Sequence, residues 1–439
     1  MSLATAYLDR VAGVDPSDLL AATVASEPLA LAFRGRFLPQ PVFLTAAERT
    51  GLAADLRCLH DMLVSLPERL LGGDRLAMAQ AVGMTELQAG VVARAAGNGP
   101  LTPLGRADLY RAADGFQLLE YNISSALGGF ENAEINRTML AHSALAEFVA
   151  EHGLRYVNTL RAMIDTLLAE HRIPAGSGPT IALLDSPSSF PTFAPRLHEM
   201  VALLADMGVE AVAGHYGQLA RRDGRTELAG RPVQAVLRYT LVEEVDTPEL
   251  ATMMESVAVP VTSRLDAELY GNKGALAMLT DDRYRDSFSS DERSFVRRIL
   301  PWTRPFRACG TDPGGTITDL AAYARARQEE LILKPTNLHG GHGIVPGWRV
   351  DPAEWSAAVD SAVDGPYVLQ QRVRPMPEPF DDGGTRQDLY LNWGVFLVDP
   401  AVSGSTDGYG GCIVRGTTDP NVGIVSMGSG ARVGCCFTE

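Results

Sequence analysis

The sequence predicts a mixed α/β fold of the α+β kind, with a helical N-terminal region ahead of several strand-bearing segments. Three observations carry that expectation. Leucines recur at helical spacing in the first hundred residues, two alternating segments flank an Asp114-Gly115 turn, and strand, helix and strand follow one another between Thr180 and Tyr239. At 439 residues, 46% hydrophobic and 21% charged, the chain can bury the cores of two or three domains.

Residues 1–100 read mostly as helix. Thr45-Ala46-Ala47-Glu48 has the form of a capping box, and Leu52, Leu56, Leu59, Leu63 and Leu66 follow as a core stripe. Gly72-Gly73 and the stretch 97–100 punctuate the region. From Leu104 the pattern changes to strands. Arg106, Asp108 and Tyr110 are expected on one face of the first, and Leu118, Glu120 and Asn122 on one face of the second. A three-residue loop, Ala113-Asp114-Gly115, would set Ala112 opposite Phe116, Asp108 beside Glu120 and Arg106 beside Asn122.

Two carboxylates and an amide then converge. Like charges directly opposite each other destabilise a sheet, so a cation is expected between them, and three hard oxygen ligands suit magnesium. The alternative is an ordinary solvated edge, with Asp108 or Glu120 partnering Arg111. Glu131 and Glu134, at the start of the helix after Gly128-Gly129, fit the helix dipole better than a second metal group.

A helix is expected from about 144 to 170, and residues 171–179 have the composition of a linker. Strands at 180–185, 209–213 and 233–239, with a helix at 195–207, predict a parallel α/β unit. Its loop Ser186–Pro191 lies where open α/β sheets place ligands, although serines are also turn formers. Farther on, Leu331-Ile-Leu-Lys334-Pro335 reads as a strand ending in a lysine. The glycine-rich stretch Gly340-Gly341-His342-Gly343 follows, with the backbone freedom to approach phosphate closely. It lacks the order of a P-loop, and His339 and His342 are either phosphate donors, general acids or solvated loop residues. A helix around 352–362 and a strand at 367–373 come next, with Val368, Gln370 and Arg372 on one face. Arg415 is the well-placed cation of a glycine-dense tail.

Composition narrows the partners. A net charge of −15 argues against binding to nucleic acid backbones or anionic membranes. No apolar run of membrane-spanning length and no signal-peptide pattern occur, so a cytoplasmic location is expected. Five cysteines without a C-x-x-C pair indicate neither a disulfide framework nor a zinc site.

Together these residues resemble the circularly permuted ATP-grasp family, which includes glutathionylspermidine synthetase. The fingerprint R-x-D followed by E-x-N is matched at Arg106, Asp108, Glu120 and Asn122, and it precedes the lysines instead of following them. The resemblance is recognisable from about Leu104 to the end. It implies Asp108, Glu120 and Asn122 as magnesium ligands, and Arg106 and Arg415 as catalytic cations. Lys273 (in Gly271-Asn-Lys-Gly-Ala), Lys334, Gly340, Gly341, His342, Gly343 and Gln370 are then the residues around ATP. His342 stands where relatives usually have lysine, and Gln371 where an acid is common.

The implied architecture is a permuted ATP-grasp fold with a helical region at 1–100, the metal-binding segment at 101–172, a Rossmann-like pre-ATP-grasp unit at 173–262 and nucleotide-binding subdomains at 263–439. The implied activity is ATP-dependent joining of a small carboxylate to an amine, an amino acid or short peptide on at least one side, with homo-oligomerisation allowed. A small-molecule kinase and a catalytically weakened nucleotide-binding regulator are the competing readings.

Overall fold

The computed structural model describes residues 2–97, 101–401 and 407–439. Asn98–Pro100, part of the expected punctuation, lie outside them. The fold is mixed α/β with several sheets.

Its centre is a seven-stranded sheet in the order Val42–Leu44, Arg432–Thr438, Tyr409–Thr417, Thr385–Val398, Leu104–Ala112, Gly115–Asn122, with Pro377–Asp382 paired to the first half of Thr385–Val398. Period-two alternation divides each strand between two cores. Ala107, Leu109, Leu118, Trp393, Val395 and Leu397 face the helix Ala46–Val64; four leucines of the expected stripe lie on it and the fifth, Leu66, opens the next helix Leu66–Leu71, all five buried as expected. Leu104, Phe396, Ile413, Val433 and Phe437 face the helices of 132–170. Arg106, Asp108 and Tyr110 alternate onto this second face. There the helical cover ends and a smaller sheet takes its place.

That smaller sheet is antiparallel, in the order Thr303–Pro305, Tyr367–Gln371, Leu331–Pro335, Val345–Pro346. Leu331, Leu333 and Leu369 pack under Trp355 and Val359 of the helix Pro352–Ala362. Their neighbours Lys334 and Gln370 therefore point to the other side. A third sheet is all parallel, in the order Val261–Thr262, Ala235–Arg238, Thr180–Asp185, Glu210–His215, and forms the expected α/β unit.

Several expectations change. The first hundred residues are mostly helical, as expected, but Val42–Leu44 adds a strand that joins the central sheet parallel to Arg432–Thr438. The 14-residue strand Thr385–Val398 did not stand out in the sequence, since both faces of its second half are buried and that half lacks polar alternation. The helix expected over 144–170 is two, Ser143–Glu151 and Thr159–Glu170. Gly153 (φ 62°) ends the first, and the Asn158 side chain accepts from Arg161 N to cap the second. The Thr45 capping box forms as expected. The helix expected from 195 starts at Phe190 and carries Pro195 inside it.

The hairpin is instructive. Asp108 pairs with Glu120 and Arg106 with Asn122, as the sequence predicts, but the loop is two residues long, so Ala112 pairs with Gly115. The missing residue reappears as a bulge at Leu119, between the pairs Asp108–Glu120 and Leu109–Leu118. Leu118 and Glu120 consequently lie on opposite faces, not on one.

Candidate active site

A cavity of about 420 Å³ opens between the central sheet and the smaller sheet. Arg106, Asp108, Glu120, Asn122, Lys334, Gly340, Gly341, Gln370 and Arg415 all line it. Nine residues singled out from the sequence, spread over more than 300 positions, thus meet in one place. Lys273, His342 and Gly343 are not on its wall.

Alternation on the central sheet places the first group. Arg106 forks onto Asp108, with Nε to Oδ1 at 2.8 Å and Nη2 to Oδ2 at 3.0 Å, while its Nη1 donates to the Gly128 carbonyl at 2.6 Å. Arg415 approaches both oxygens of Asp108 across the intervening strand Thr385–Val398, at 3.4 and 3.5 Å. The backbone makes room for this. A side chain at Gly394, opposite Asp108, would stand 3.1 Å from Arg106 Cδ and 2.9 Å from Ile413 Cγ2. Burial disfavours both guanidinium charges. For Arg106 the Asp108 carboxylate outweighs that and raises the pKa, whereas Arg415 is left below its ordinary value.

Glu120 belongs to the lysines. Lys273 Nζ lies 3.3 Å from its Oε2, and Asn122 Nδ2 donates to its Oε1 at 3.2 Å. Burial pushes the Glu120 carboxyl up, but Lys273 and Lys334 prevail and hold it well below the carboxylate range. Lys334 crosses from the smaller sheet and donates to the Leu119 carbonyl at 3.0 Å. The bulged residue thus supplies the acceptor. Burial lowers the Lys334 pKa to about 8 despite the nearby Glu120.

The cation expected between two opposed carboxylates is therefore supplied by the chain itself. Asp108 and Glu120 face Arg106, Arg415, Lys273 and Lys334, and Arg196 and Arg372 add further positive charge to the wall. A strongly acidic protein has gathered a surplus of cations here. Such a cavity favours an anionic ligand. The alternative partner for the hairpin carboxylates, Arg111, lies elsewhere: it pairs with Glu48 at 3.2 Å and covers the rings of Phe116 and Trp393.

Lys273 sits behind Glu120, at the start of the helix Lys273–Thr280, and also donates to the Leu338 carbonyl at 2.7 Å, which fixes the entry to the glycine-rich loop. His339 N and Nδ1 meet Glu243 Oε2 at 2.9 and 3.1 Å and tie the same loop to the α/β unit. His342 is exposed. Gln370 donates to Thr303 Oγ1 at 3.0 Å. Ser124 and Ser125, adjacent to the hairpin, are buried against Arg238, Thr262 and Ser263 and do not reach the cavity. Glu131, at the N-cap of the helix Asn132–Met139, and Glu134, in its first turn, stand where the helix-dipole reading puts them; Glu131 is also the buried partner of Arg196, and Glu134 pairs with Arg137. The Ser186 hydroxyl donates to Glu244 and accepts from Ser189 N, a turn-forming role.

Two wall residues escaped the sequence reading. Asn392 lies cross-strand from Arg415 and is 3% exposed, and its Oδ1 is buried without a donor. A lone amide inside the apolar run Leu391–Val398 was the signal available for it. Arg196 comes from the helix Phe190–Asp206 and carried no local signal. No group of three or more His, Cys, Asp or Glu residues that could hold a metal occurs among the described residues, and no helix among them is long and apolar enough to cross a membrane.

No protein-family model matches the sequence, and no curated protein matches it significantly. Solved structures do resemble it. A glutathione synthetase-like effector from Globodera pallida, without bound ligand, matches at 13% identity over 97% of this chain and 98% of that one, with a TM-score of 0.52. A Methylobacillus flagellatus KT protein described as a gamma-glutamylcysteine synthetase matches at 14% identity over 90% and 89%, with a TM-score of 0.45, too low to weigh. The fold is therefore similar to that of glutathione synthetase-like proteins, and neither likeness is to glutathionylspermidine synthetase.

Proposed function

We propose that this chain is an ATP-dependent carboxylate–amine ligase of the circularly permuted ATP-grasp kind. The observation that carries the reading is the convergence of Arg106, Asp108, Glu120 and Asn122 with Lys334 and Arg415 in one cation-rich cavity. The glutathione synthetase-like fold is consistent with it. The hairpin's place ahead of Lys273 and Lys334 is what makes the order a permuted one, with the unit at 173–262 preceding the nucleotide-binding subdomains at 263–439.

In the proposed reaction a carboxylate oxygen of the acid attacks the γ-phosphorus of ATP, and ADP leaves. The amine then attacks the acyl carbon, phosphate leaves, and the nitrogen loses a proton. Lys334 meets the phosphates of the nucleotide from the smaller sheet. Gly340 and Gly341, both at positive φ, bring backbone N–H groups close to them. Gln370 lies on the adenine side. Lys273 acts from behind, holding Glu120 and the loop entry. Arg415 faces the transferring phosphoryl group, and Arg106, fixed by Asp108 and Gly128, faces the oxyanion that forms at the acyl carbon.

The oxygen set of Asp108, Glu120, Asn122 and the unpartnered Asn392 Oδ1 fits magnesium in type. Both carboxylates are already engaged by side-chain cations, so the metal fits when polyphosphate draws those cations away. Bound there, it would neutralise charge on the phosphates.

Hydroxylamine trapping tests the reading: the chain, ATP, magnesium and a panel of carboxylic acids should yield ADP and a hydroxamate visible by mass spectrometry. A persistent phosphorylated product formed with no amine requirement would identify a kinase instead. Nucleotide binding without ADP release over the whole panel would leave only a regulator.

A further inference from the structure

The cavity has two unlike ends. Beyond Arg106, away from Lys334 and Gln370, its wall is Phe33 of the helix Glu27–Phe33 together with Leu127, Ile413, Met427 and Val433. One charged group enters this end. Arg196 Nε and Nη2 bind Glu131 Oε1 at 3.0 and 2.7 Å, Glu131 Oε2 accepts from Gly129 N at 3.2 Å, and Nη1 of Arg196 donates to nothing among the described residues. Glu131 is 5% exposed, so the arginine is held from behind.

Arg196 and Arg106 converge. A side chain built at Gly128 would stand 3.6 Å from Arg196 Nη2 and 3.9 Å from Arg106 Nη1. Two guanidinium groups that repel each other are kept on either side of the same small space, and a carboxylate between them would satisfy both. No carboxylate on the described wall is free to pair with an ammonium group. The carboxylates on the cavity wall are Asp108 and Glu120, both paired, and Glu131 is spent on Arg196 and Gly129.

Resting on the ligase reading, we infer that the activated substrate is an apolar carboxylic acid without a free amino group, its carboxylate between Arg106 and Arg196 and its body against Phe33, Leu127 and Ile413. Free α-amino acids are then excluded from the acid side, because burying their ammonium group here would leave it unpaired. An amino acid or peptide enters only as the amine.

Two measurements separate this inference from the reading beneath it. Calorimetry with 3-phenylpropanoate and with phenylalanine, without ATP, should show binding of the first and not of the second. Hydroxylamine trapping should then give hydroxamates from 3-phenylpropanoate, hexanoate and N-acetylphenylalanine, and none from phenylalanine or glutamate. Arg196→Gln should raise the KM for the acid about tenfold or more, the scale of a charged hydrogen bond, with kcat changed by less than about twofold. Arg196→Lys should restore most of the loss while keeping a cation for Glu131, which a purely structural role would not separate from folding. Hydroxamates from the free amino acids alone would overturn the substrate class and leave the ligase standing. Binding of 3-phenylpropanoate weakened in Arg196→Gln, with no hydroxamate from any acid, would uphold the pocket and sink the ligase. Equal binding of both acids, or no binding of either, would overturn the inference.

Discussion

On the central-sheet wall of the cavity, Asp108 is forked by Arg106 and approached by Arg415, so three side chains on one face of a single sheet fix one another. On the facing wall Lys334 stands alone on its strand and reaches across to a backbone carbonyl and a carboxylate that belong to the other sheet. Arginine keeps its charge when buried and presents a planar fork, whereas a buried lysine is a point charge whose pKa drifts. The first wall is therefore suited to holding geometry at a reacting centre. The second is suited to a charge that responds to whether phosphate is present.

The largest expected effect comes from breaking the first wall. Arg106→Ala should lower kcat for hydroxamate formation by about 10²–10³-fold, the cost of losing one oxyanion donor, with ATP affinity changed only a few-fold. It also strips the fork from a carboxylate that is 5% exposed. Urea denaturation should show a loss of up to about 3–5 kcal/mol, moderated by Arg415. A variant with full turnover would remove Arg106 from the chemistry.

Gly394→Ala attacks the same wall indirectly. The added methyl group would press on Arg106 Cδ and Ile413, an overpacking worth about 1–3 kcal/mol, so kcat should fall by about tenfold or more with nucleotide affinity retained. Equal losses of nucleotide binding and turnover would mean that the two walls are not separable in this way.

The second wall should respond to pH. Lys334 is lowered by burial from 10.5 to about 8, so ATP affinity measured by calorimetry should weaken as pH rises through about 8, while the arginines stay charged. Stability follows the opposite sign. Between about 8 and 10.5 the unfolded chain binds more protons at this lysine than the folded one, so Lys334 makes the fold more stable as pH rises through that window. Lys334→Met should abolish the pH response of affinity; its persistence would point to another group.

The smallest effect belongs to His342. Exposed and off the wall, it should tolerate alanine with kcat/KM changed by less than about twofold, since surface substitutions away from special contacts cost little. A tenfold loss would show that the glycine-rich loop closes farther over the cavity than its position here.

Local pattern alone is enough for part of this site. Alternation put Arg106 and Asp108 on one strand face. The Asp114-Gly115 turn brought Glu120 and Asn122 back beside them, and helical spacing marked the leucine stripe, because each depends on residues within a few positions of one another. Even there a local error cancelled by accident: the loop was shorter than the spacing suggested, and the Leu119 bulge restored the register. Tertiary structure decided the rest. Strand pairing across some 300 residues set Arg415 and Asn392 beside the hairpin, and the docking of two sheets turned Lys334 toward the Leu119 carbonyl. The same packing moved Lys273 behind the wall and made Glu131 a brace for Arg196. No short-range pattern encodes which buried charge meets which, because that depends on which surfaces pack together once each element has formed.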